Sequence, residues 1–217
     1  MNHAVRPSSQ DGGDLNALLA TAGLEPVSEE VLSQFSAYLA LILRWNSRMN
    51  LTAIRDEPGI IRRHFVESIA CAQSLPEEVG SLLDFGSGAG FPGIPISLCR
   101  PGIAVTLAES QAKKAAFLQE AVRTLGLDSR VFAGRAEDLQ QFFDCVTLRA
   151  VDRMDRAVAA ASDLVRIGGW LAVLTTVAEL PQVETAAAGE FQWSRPIPLA
   201  GSDERVLAMA RKSPTSS

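Results

Sequence analysis

The sequence contains little of what marks several common protein classes. Its 217 residues include only three cysteines, Cys71, Cys99 and Cys145, which lie far apart and form no Cys-x-x-Cys pair. A disulfide framework or a zinc site is therefore disfavoured, and we expect free thiols in a reducing cytoplasm. There is no run of about eighteen uncharged apolar residues, so a membrane-spanning helix is not expected.

Basic residues are too few for the overall charge to predict a nucleic-acid partner. The chain carries 20 Lys and Arg against 25 Asp and Glu, a net charge of −5, whereas phosphate binding normally needs a basic face. The distribution is uneven, because the stretch from 44 to 64 contains only two carboxylates but five arginines: Arg44, Arg48, Arg55, Arg62 and Arg63. This stretch is either a solvated helix face or a basic docking face for phosphates.

The order of apolar and polar segments predicts one domain with an appendage. Residues 1–13 are polar, lack the apolar centre of a signal peptide and are expected to form a flexible lead-in. Three-four spacing of apolar residues predicts a helical cap over 14–78. Strand-like and helix-like segments alternate over 79–211, which is typical of parallel βαβ units, and 212–217 is expected to be a flexible tail. The predicted fold is α/β, a Rossmann-like, seven-stranded, mostly parallel sheet with two late antiparallel strands.

The glycine-rich stretch from Asp84 to Gly93 is the strongest local signal. It follows a strand-like run, where open α/β sheets bind ligands, and its glycines let a ligand approach the backbone. A P-loop would need a Lys and a Ser or Thr after the last glycine, and these are missing. A dinucleotide fingerprint would need glycine where Phe91 stands, and Pro92 offers no N–H to a pyrophosphate.

The remaining interpretation is the D-x-G-x-G-x-G loop of S-adenosylmethionine-dependent methyltransferases. Its candidate cofactor-binding residues are Asp84, Gly86, Gly88 and Gly90. Asp84 would either support the loop backbone or approach the cofactor amino group. Glu109 ends the second predicted strand, where an acid can accept both ribose hydroxyls, and residues 134–138 follow the third strand, beside an adenine edge. The alternative is that Glu109 only caps a strand end and Glu137 only caps a helix.

Several motifs outside the central glycines are more specific. They are Trp45-Asn46 with Asn50-Leu51-Thr52, Arg55-Asp56, Arg63-His64-Phe65 with Glu67-Ser68, Phe91-Pro92-Gly93-Ile94-Pro95, Gly134-Arg135-Ala136-Glu137, and Arg149-Ala150. In these motifs, over roughly residues 30 to 175, the chain resembles the bacterial small-subunit rRNA guanine-N7 methyltransferase family, also called glucose-inhibited division protein B. Two departures are Thr175-Thr176 in place of a family Lys-Gly, and Glu67-Ser68 in place of Asp-Ser.

The resemblance implies a class I methyltransferase with S-adenosylmethionine as cofactor. It implies cofactor contacts at Gly86, Phe91, Ala136, Glu137 and Arg149. It also implies methylation at N7 of a guanine in the decoding-region loop of 16S rRNA, supplied as free rRNA or within the small ribosomal subunit. Combined with the basic stretch, it leads us to expect RNA contacts at Arg44, Arg48, Asn50, Arg63 and His64. We expect a cytoplasmic monomer without a metal or a membrane contact.

This chemistry needs no general base. The N7 lone pair of guanine attacks a sulfonium methyl without prior deprotonation, so positioning and desolvation should supply most of the catalysis. Neither the Pro-Cys nucleophile of carbon-5 pyrimidine enzymes nor the Asn-Pro-Pro-aromatic run of exocyclic-amine methylases is present. Arg149, at the end of the fourth strand, is the catalytic candidate. It would anchor the cofactor carboxylate or orient the base, the alternative being a plain salt bridge.

Several other polar residues have more than one interpretation. His64 would stack on a base, contact a phosphate, or pack as a neutral histidine between the cap and the sheet. The polar connector residues would contact RNA or serve as caps and turns: Asn46, Asn50 and Thr52. A solvated helix face is the simpler interpretation of Lys113, Lys114 and Arg123. The alternative functions are a methyltransferase acting on a small molecule or a protein, and a non-catalytic ribosome assembly factor that holds the cofactor.

Overall fold

A computed structural model of the chain describes residues 10–151 and 153–214. Positions 1–9 of the expected lead-in and 215–217 of the expected tail lie outside the described residues. The helices are α1 (Gln10–Thr21), α2 (Glu29–Asn46), α3 (Glu57–Ile60), α4 (Val66–Ser74), α5 (Gly93–Cys99), α6 (Ala112–Leu125), α7 (Met154–Leu164) and α8 (Leu180–Ala186). The strands are β1 (Ser81–Phe85), β2 (Ala104–Ala108), β3 (Arg130–Phe132), β4 (Phe143–Arg149), β5 (Val165–Thr176), β6 (Phe191–Trp193), β7 (Ile197–Pro198) and β8 (Arg205–Lys212).

The strands form one mixed sheet in the order β3-β2-β1-β4-β5-β8-β6, with β7 paired to β8. Strands β1 to β5 pair in parallel, which confirms the predicted Rossmann-like sheet. Within the described residues the sheet has eight strands rather than the predicted seven, because the two-residue strand β7 adds to the antiparallel part. The two late runs do pair with each other, but β8 lies between β5 and β6. Its buried run over 206–210 suits that inner position.

The N-terminal helices pack against one face of the sheet. Ser28 accepts a hydrogen bond from the Val31 amide and caps α2, whose apolar side is buried in the same core as α5 and α6. Helices α7 and α8 belong to a second core on the other face. The neighbouring β1 residues Leu82 and Leu83 fall in different cores, as the alternation of a strand requires. Helix α1 starts at Gln10, so residues 10–13 of the expected lead-in are helical.

Within the predicted helical cap, one helix is continuous from Glu57 to Ser74 but contains a π-helical turn. Asp56 caps its first turn by accepting from the Gly59 amide at 2.8 Å, and Pro58 occupies the first turn. The π-helical turn spans Ile61–Phe65 and therefore carries Arg62, Arg63 and His64. Single π-helical turns are frequent at functional sites, and this one places two backbone carbonyls next to Arg149.

None of the helices among residues 10–151 and 153–214 is long and apolar enough to cross a membrane. The three cysteines are free thiols, as expected. Burial raises the pKa of Cys71 to about 12, and that of Cys99 to about 12, so these thiols stay protonated at neutral pH.

Candidate active site

A cavity of about 550 Å³ opens at the carboxyl ends of β1, β2 and β4. Its volume falls within the roughly 300–1,000 Å³ typical of small-molecule sites. It lies where the strand order reverses between β1 and β4, the position at which open α/β sheets bind ligands. Its walls come from the connector (51–54), Arg63 and His64, the glycine loop (86–89 and Phe91), the start of α6 (109–111 and Lys114), and 149–151.

The glycines of the loop have different tasks. Gly86, Gly88 and Gly90 all have a positive φ, between 56° and 91°. Gly86 and Gly88 line the cavity, and a Cβ on Gly88 would approach only the Gly86 carbonyl, at 3.8 Å, so the backbone there faces open space. A Cβ on Gly90 would instead lie 2.7 Å from the Tyr38 hydroxyl and 2.5 Å from Ile94. Gly90 therefore allows the cap to pack against the loop, and it is not brought to the cavity.

Asp84 lies beneath the loop and is fully buried. Its carboxylate accepts from the Gly93 amide at 3.2 Å and from the Thr147 hydroxyl at 3.0 Å. Burial raises the pKa of Asp84 to about 6, although these hydrogen bonds and Arg149 oppose the rise. Of the two interpretations of Asp84, the structure supports the one in which it holds the loop backbone.

Glu109 lines the cavity and ties two of its walls together. One carboxylate oxygen accepts from the Gly88 amide at 2.9 Å, and the other accepts from the Gln111 amide at 2.7 Å. A carboxylate oxygen has two lone pairs, so Glu109 can accept further hydrogen bonds while it holds the backbone. It thus caps a strand end and still remains available to a ligand.

Two further cofactor-binding candidates, like Asp84 and Gly90, are not among the residues that line the cavity. Ala136 is buried in the core beneath the sheet, next to α7. Glu137 pairs with Arg135 at 2.6 Å on the surface. The structure therefore does not bring these two residues to the walls formed by the glycine loop and Glu109.

Arg149 lies in the cavity wall and is held by the π-helical turn and α4. Its Nη2 donates to Glu67 Oε2 at 2.6 Å and to the Arg63 carbonyl at 2.6 Å. Its Nη1 donates to the Ser68 hydroxyl at 3.3 Å and the His64 carbonyl at 3.5 Å. Arg149 therefore forms a salt bridge and also lies in the cavity wall. Burial lowers the pKa of Arg149 from its usual value, and the Glu67 carboxylate opposes this.

The sequence did not reveal the role of Glu67 in this site. Its side chain is 2 % exposed, and its second oxygen accepts from Arg205 Nε at 2.5 Å. A buried carboxylate between two guanidinium groups satisfies the rule that buried charges are paired. The one sequence feature that indicates a buried, paired carboxylate is the position of this acid in the apolar run of α4.

His64 packs as a neutral side chain. Its ring stacks on Phe91 with centroids 4.6 Å apart, and Nε2 lies 2.7 Å from the Thr52 hydroxyl. Burial, together with the nearby cations of Arg149, Arg63 and Arg205, lowers the pKa of His64 to about 3. His64 also lines the cavity, so it links the cap to the loop at the candidate site.

The five RNA-binding candidates do not form a single site. Arg63 and His64 line the cavity described above. Arg44 pairs with Glu120, and together with Arg48 it lines a separate cavity between α2 and α6. Asn50 is exposed and accepts from Arg55 at 2.6 Å. The neighbouring Asn46 is buried and binds the backbone at 51, 52 and 54, which matches the cap interpretation.

Comparison with known proteins places this chain in a family. The model of the family described as rRNA small subunit methyltransferase G (GidB) matches residues 31–193. A protein named ribosomal RNA small subunit methyltransferase G from Roseiflexus sp. (strain RS-1) is 42 % identical over 165 residues, 71 % of this chain and 70 % of that protein. Its namesake in Chloroflexus aggregans is 38 % identical over 202 residues, 86 % of this chain and 84 % of that protein.

Solved structures resemble the fold at lower identity. A predicted O-methyltransferase from Agrobacterium tumefaciens has a TM-score of 0.58 at 17 % identity, over 70 % of this chain and 82 % of that one. A SAM-dependent methyltransferase from Aquifex aeolicus has a TM-score of 0.58 at 15 % identity, over 72 % of this chain and 94 % of that one. These matches confirm the methyltransferase-type α/β fold. By its sequence matches, the chain belongs to the rRNA small subunit methyltransferase G (GidB) family.

Proposed function

We propose that this chain transfers a methyl group from S-adenosylmethionine to N7 of a guanine in the decoding-region loop of 16S rRNA. The observation that carries the proposal is the cavity at the sheet's switch point, in a chain of this family. There the open backbone at Gly88 and the Glu109 carboxylate share their walls with Arg149. The guanine-N7 target rests on the resemblance of the sequence motifs.

The residues present fit the cofactor. Gly86 and Gly88 leave the loop backbone free of side chains where they line the cavity, and Glu109 keeps acceptor capacity for ribose hydroxyls. We therefore assign cofactor contacts to these three residues, to Phe91 and to Arg149. Contacts at Ala136 and Glu137 stay a prediction from the resemblance alone. When bound, S-adenosylmethionine supplies an electrophilic methyl group.

The chain's own side chains would bind and orient rather than move protons. His64 is neutral at physiological pH because its pKa is about 3, and it is therefore a weak base. Stacked on Phe91, it forms an apolar wall that excludes water from the base. Arg149 is fixed by four hydrogen bonds from Nη1 and Nη2 to described residues, which leaves its Nε–H as the donor that can orient an incoming group at little entropic cost. This arrangement suits N7, which needs no deprotonation.

The proposed partner is 16S rRNA, either free or within the small ribosomal subunit, and the exposed side chain of Arg63 at the cavity is the proposed phosphate contact beside it. We propose that the chain acts as a monomer in the cytoplasm, where ribosomal RNA is assembled into subunits.

A transfer assay tests this proposal. The protein is incubated with S-adenosylmethionine labelled in its methyl group. Parallel reactions contain under-methylated 16S rRNA, small subunits, total protein or a metabolite extract as the methyl acceptor. We expect label only in RNA. The inactive control is Gly86→Val, because its Cβ would lie 3.0 Å from Val151 at a positive φ, and the matched control is Gly102→Ala at an open position. Label in protein or metabolites would favour the alternative methyltransferase, and RNA binding without any label would favour an assembly factor.

A further inference from the structure

A second cavity lies beside the candidate active site. Its volume is about 560 Å³, and it lies between the last turns of α2 and the exposed side of α6. Its lining residues are Arg44, Trp45, Arg48, Met49, Lys113 and Glu120. No role in cofactor binding falls to any of them, so the purpose of this cavity needs its own explanation.

The charges around the second cavity are unbalanced. Among the described residues that line it, Glu120 is the only carboxylate. Glu120 is already engaged, since one oxygen pairs with Arg44 and the other accepts from Trp45 Nε1 at 2.8 Å. No residue within the described ranges forms an ion pair with Arg48 or Lys113. Two exposed cations therefore face one cavity in a protein whose net charge is −5. An anion would balance them.

The second cavity is a close neighbour of the first. Lys113 lines the second cavity and the next residue, Lys114, lines the first, so the opening turn of α6 borders both. Along the connector, Met49 lines the second cavity and Leu51 lines the first. A polymer with its reacting base in the first cavity could therefore place an adjacent nucleotide in the second.

The chemistry of the walls suits one nucleotide. Trp45 and Met49 provide an apolar surface for a sugar or base, and Trp45 is fixed by its bond to Glu120 and by an edge contact with Phe117. Arg48 and Lys113 provide donors for a phosphate, the group that most protein–nucleic acid hydrogen bonds address.

We propose that this second cavity binds a backbone phosphate of the substrate RNA next to the target guanine, through Arg48 and Lys113. The inference rests on the proposed function, because it needs RNA as the substrate. It changes the interpretation of Lys113 from a solvated residue to an RNA contact. It also assigns Arg44 to holding Glu120 rather than to the RNA.

The test removes the two free cations without touching the packed residues. The double variant Arg48→Gln/Lys113→Gln is compared with Arg123→Gln/Arg195→Gln, a pair of exposed arginines that makes the same change in net charge. Binding of a 16S rRNA fragment and of small subunits is measured by fluorescence anisotropy at several salt concentrations. S-adenosylmethionine affinity is measured in parallel and reports that each variant is folded.

We expect the Arg48/Lys113 variant to bind RNA about tenfold more weakly at 0.1 M salt, with unchanged cofactor affinity. The slope of log Kd against log salt should fall by about one to two, as for the loss of one or two phosphate contacts, and the control pair should keep it. Equal RNA binding by both double variants would overturn the inference while leaving the proposed function standing. A wild-type protein that binds and methylates no RNA would overturn both.

Discussion

Glu67 and Arg149 form a buried ion pair, with Glu67 Oε2 2.6 Å from Arg149 Nη2, and it joins the helical cap to the carboxyl end of β4. The other oxygen of Glu67 holds Arg205 on β8. One carboxylate thus fixes the position of an arginine in the cavity wall and fastens α4 to two strands. Because both partners are almost completely buried, neither can lose the other without leaving a charge in a poorly solvated place.

Removing Glu67 should therefore destabilise the protein strongly. We expect Glu67→Ala to lower the free energy of unfolding by about 3–5 kcal/mol, since it leaves Arg149 buried and unpaired. The matched control is Glu137→Ala, which breaks an exposed pair and should cost less than about 1 kcal/mol. Urea unfolding measures both. Similar losses of unfolding free energy in the two variants would show that the buried pair stabilises the protein no more than the exposed one.

Arg149→Lys should separate charge from geometry. Lysine keeps the positive charge but cannot reproduce the fork that reaches Glu67, Ser68 and two carbonyls. We expect methyl transfer to fall about a hundredfold, the size of loss that small misplacements in an active site produce. Steady-state kinetics under conditions where urea unfolding shows the variant to be folded measure the effect. Arg135→Lys, on the surface, should keep wild-type rates, and an Arg149→Lys enzyme with wild-type kcat and KM would contradict the assigned role.

Gly90 should tolerate no side chain, for a reason beyond its positive φ. An added Cβ would overlap the Tyr38 hydroxyl, which donates to the Ala89 carbonyl at 2.5 Å. Gly23 provides the control, since it has a positive φ of 69° with nothing within 4 Å. We expect Gly23→Ala to cost about 1–2 kcal/mol from backbone strain alone, and Gly90→Ala to cost distinctly more. Equal losses of unfolding free energy in the two variants would mean that the close packing of Gly90 against Tyr38 does not contribute to stability.

The neutral His64 should make the protein sensitive to mild acid. Its pKa is about 3 in the folded state against 6.5 unfolded, so the unfolded chain binds the extra proton between these values. Stability from this group is complete above pH 6.5 and is lost as the pH falls, by up to about 1.4 kcal/mol per pH unit. Asp84 acts in the opposite direction, because its raised pKa of about 6 favours the folded state at low pH.

The comparison of wild type with His64→Gln isolates the histidine, because Asp84 and all other groups titrate in both proteins. The difference in unfolding free energy between the two should grow from pH 4 to pH 6.5 and then level off. A difference that is constant over this range would show that His64 is not held neutral.

Much of the site could be predicted because it depends on short stretches of chain. The glycine loop and Glu109 each follow a strand, and parallel strands bring their carboxyl ends to the same edge, so their meeting at one cavity was predictable. Arg149 was placed at this edge for the same reason. The different roles of Gly88 and Gly90 were not predictable, since they depend on whether Tyr38 reaches that point of the loop.

The long-range partners could not be predicted for a related reason. Glu67 and Arg205 lie 138 positions apart, and no local pattern indicates which buried acid meets which arginine. The separation of Arg48 from Arg63 likewise depends on how the connector folds around the buried Asn46. The eighth strand was missed because two residues, Ile197 and Pro198, are too few to show alternation.

Mapping the modified nucleotide in 16S rRNA by mass spectrometry tests whether this protein methylates N7 of a guanine in the decoding-region loop. The rRNA is taken from cells that lack the gene, from the same cells supplied with this protein, and from cells supplied with Gly86→Val. We expect N7-methylguanine at one position of the decoding-region loop with the wild-type protein only. An unmodified loop in the presence of the folded wild-type protein, or methylation at any other position, would contradict it.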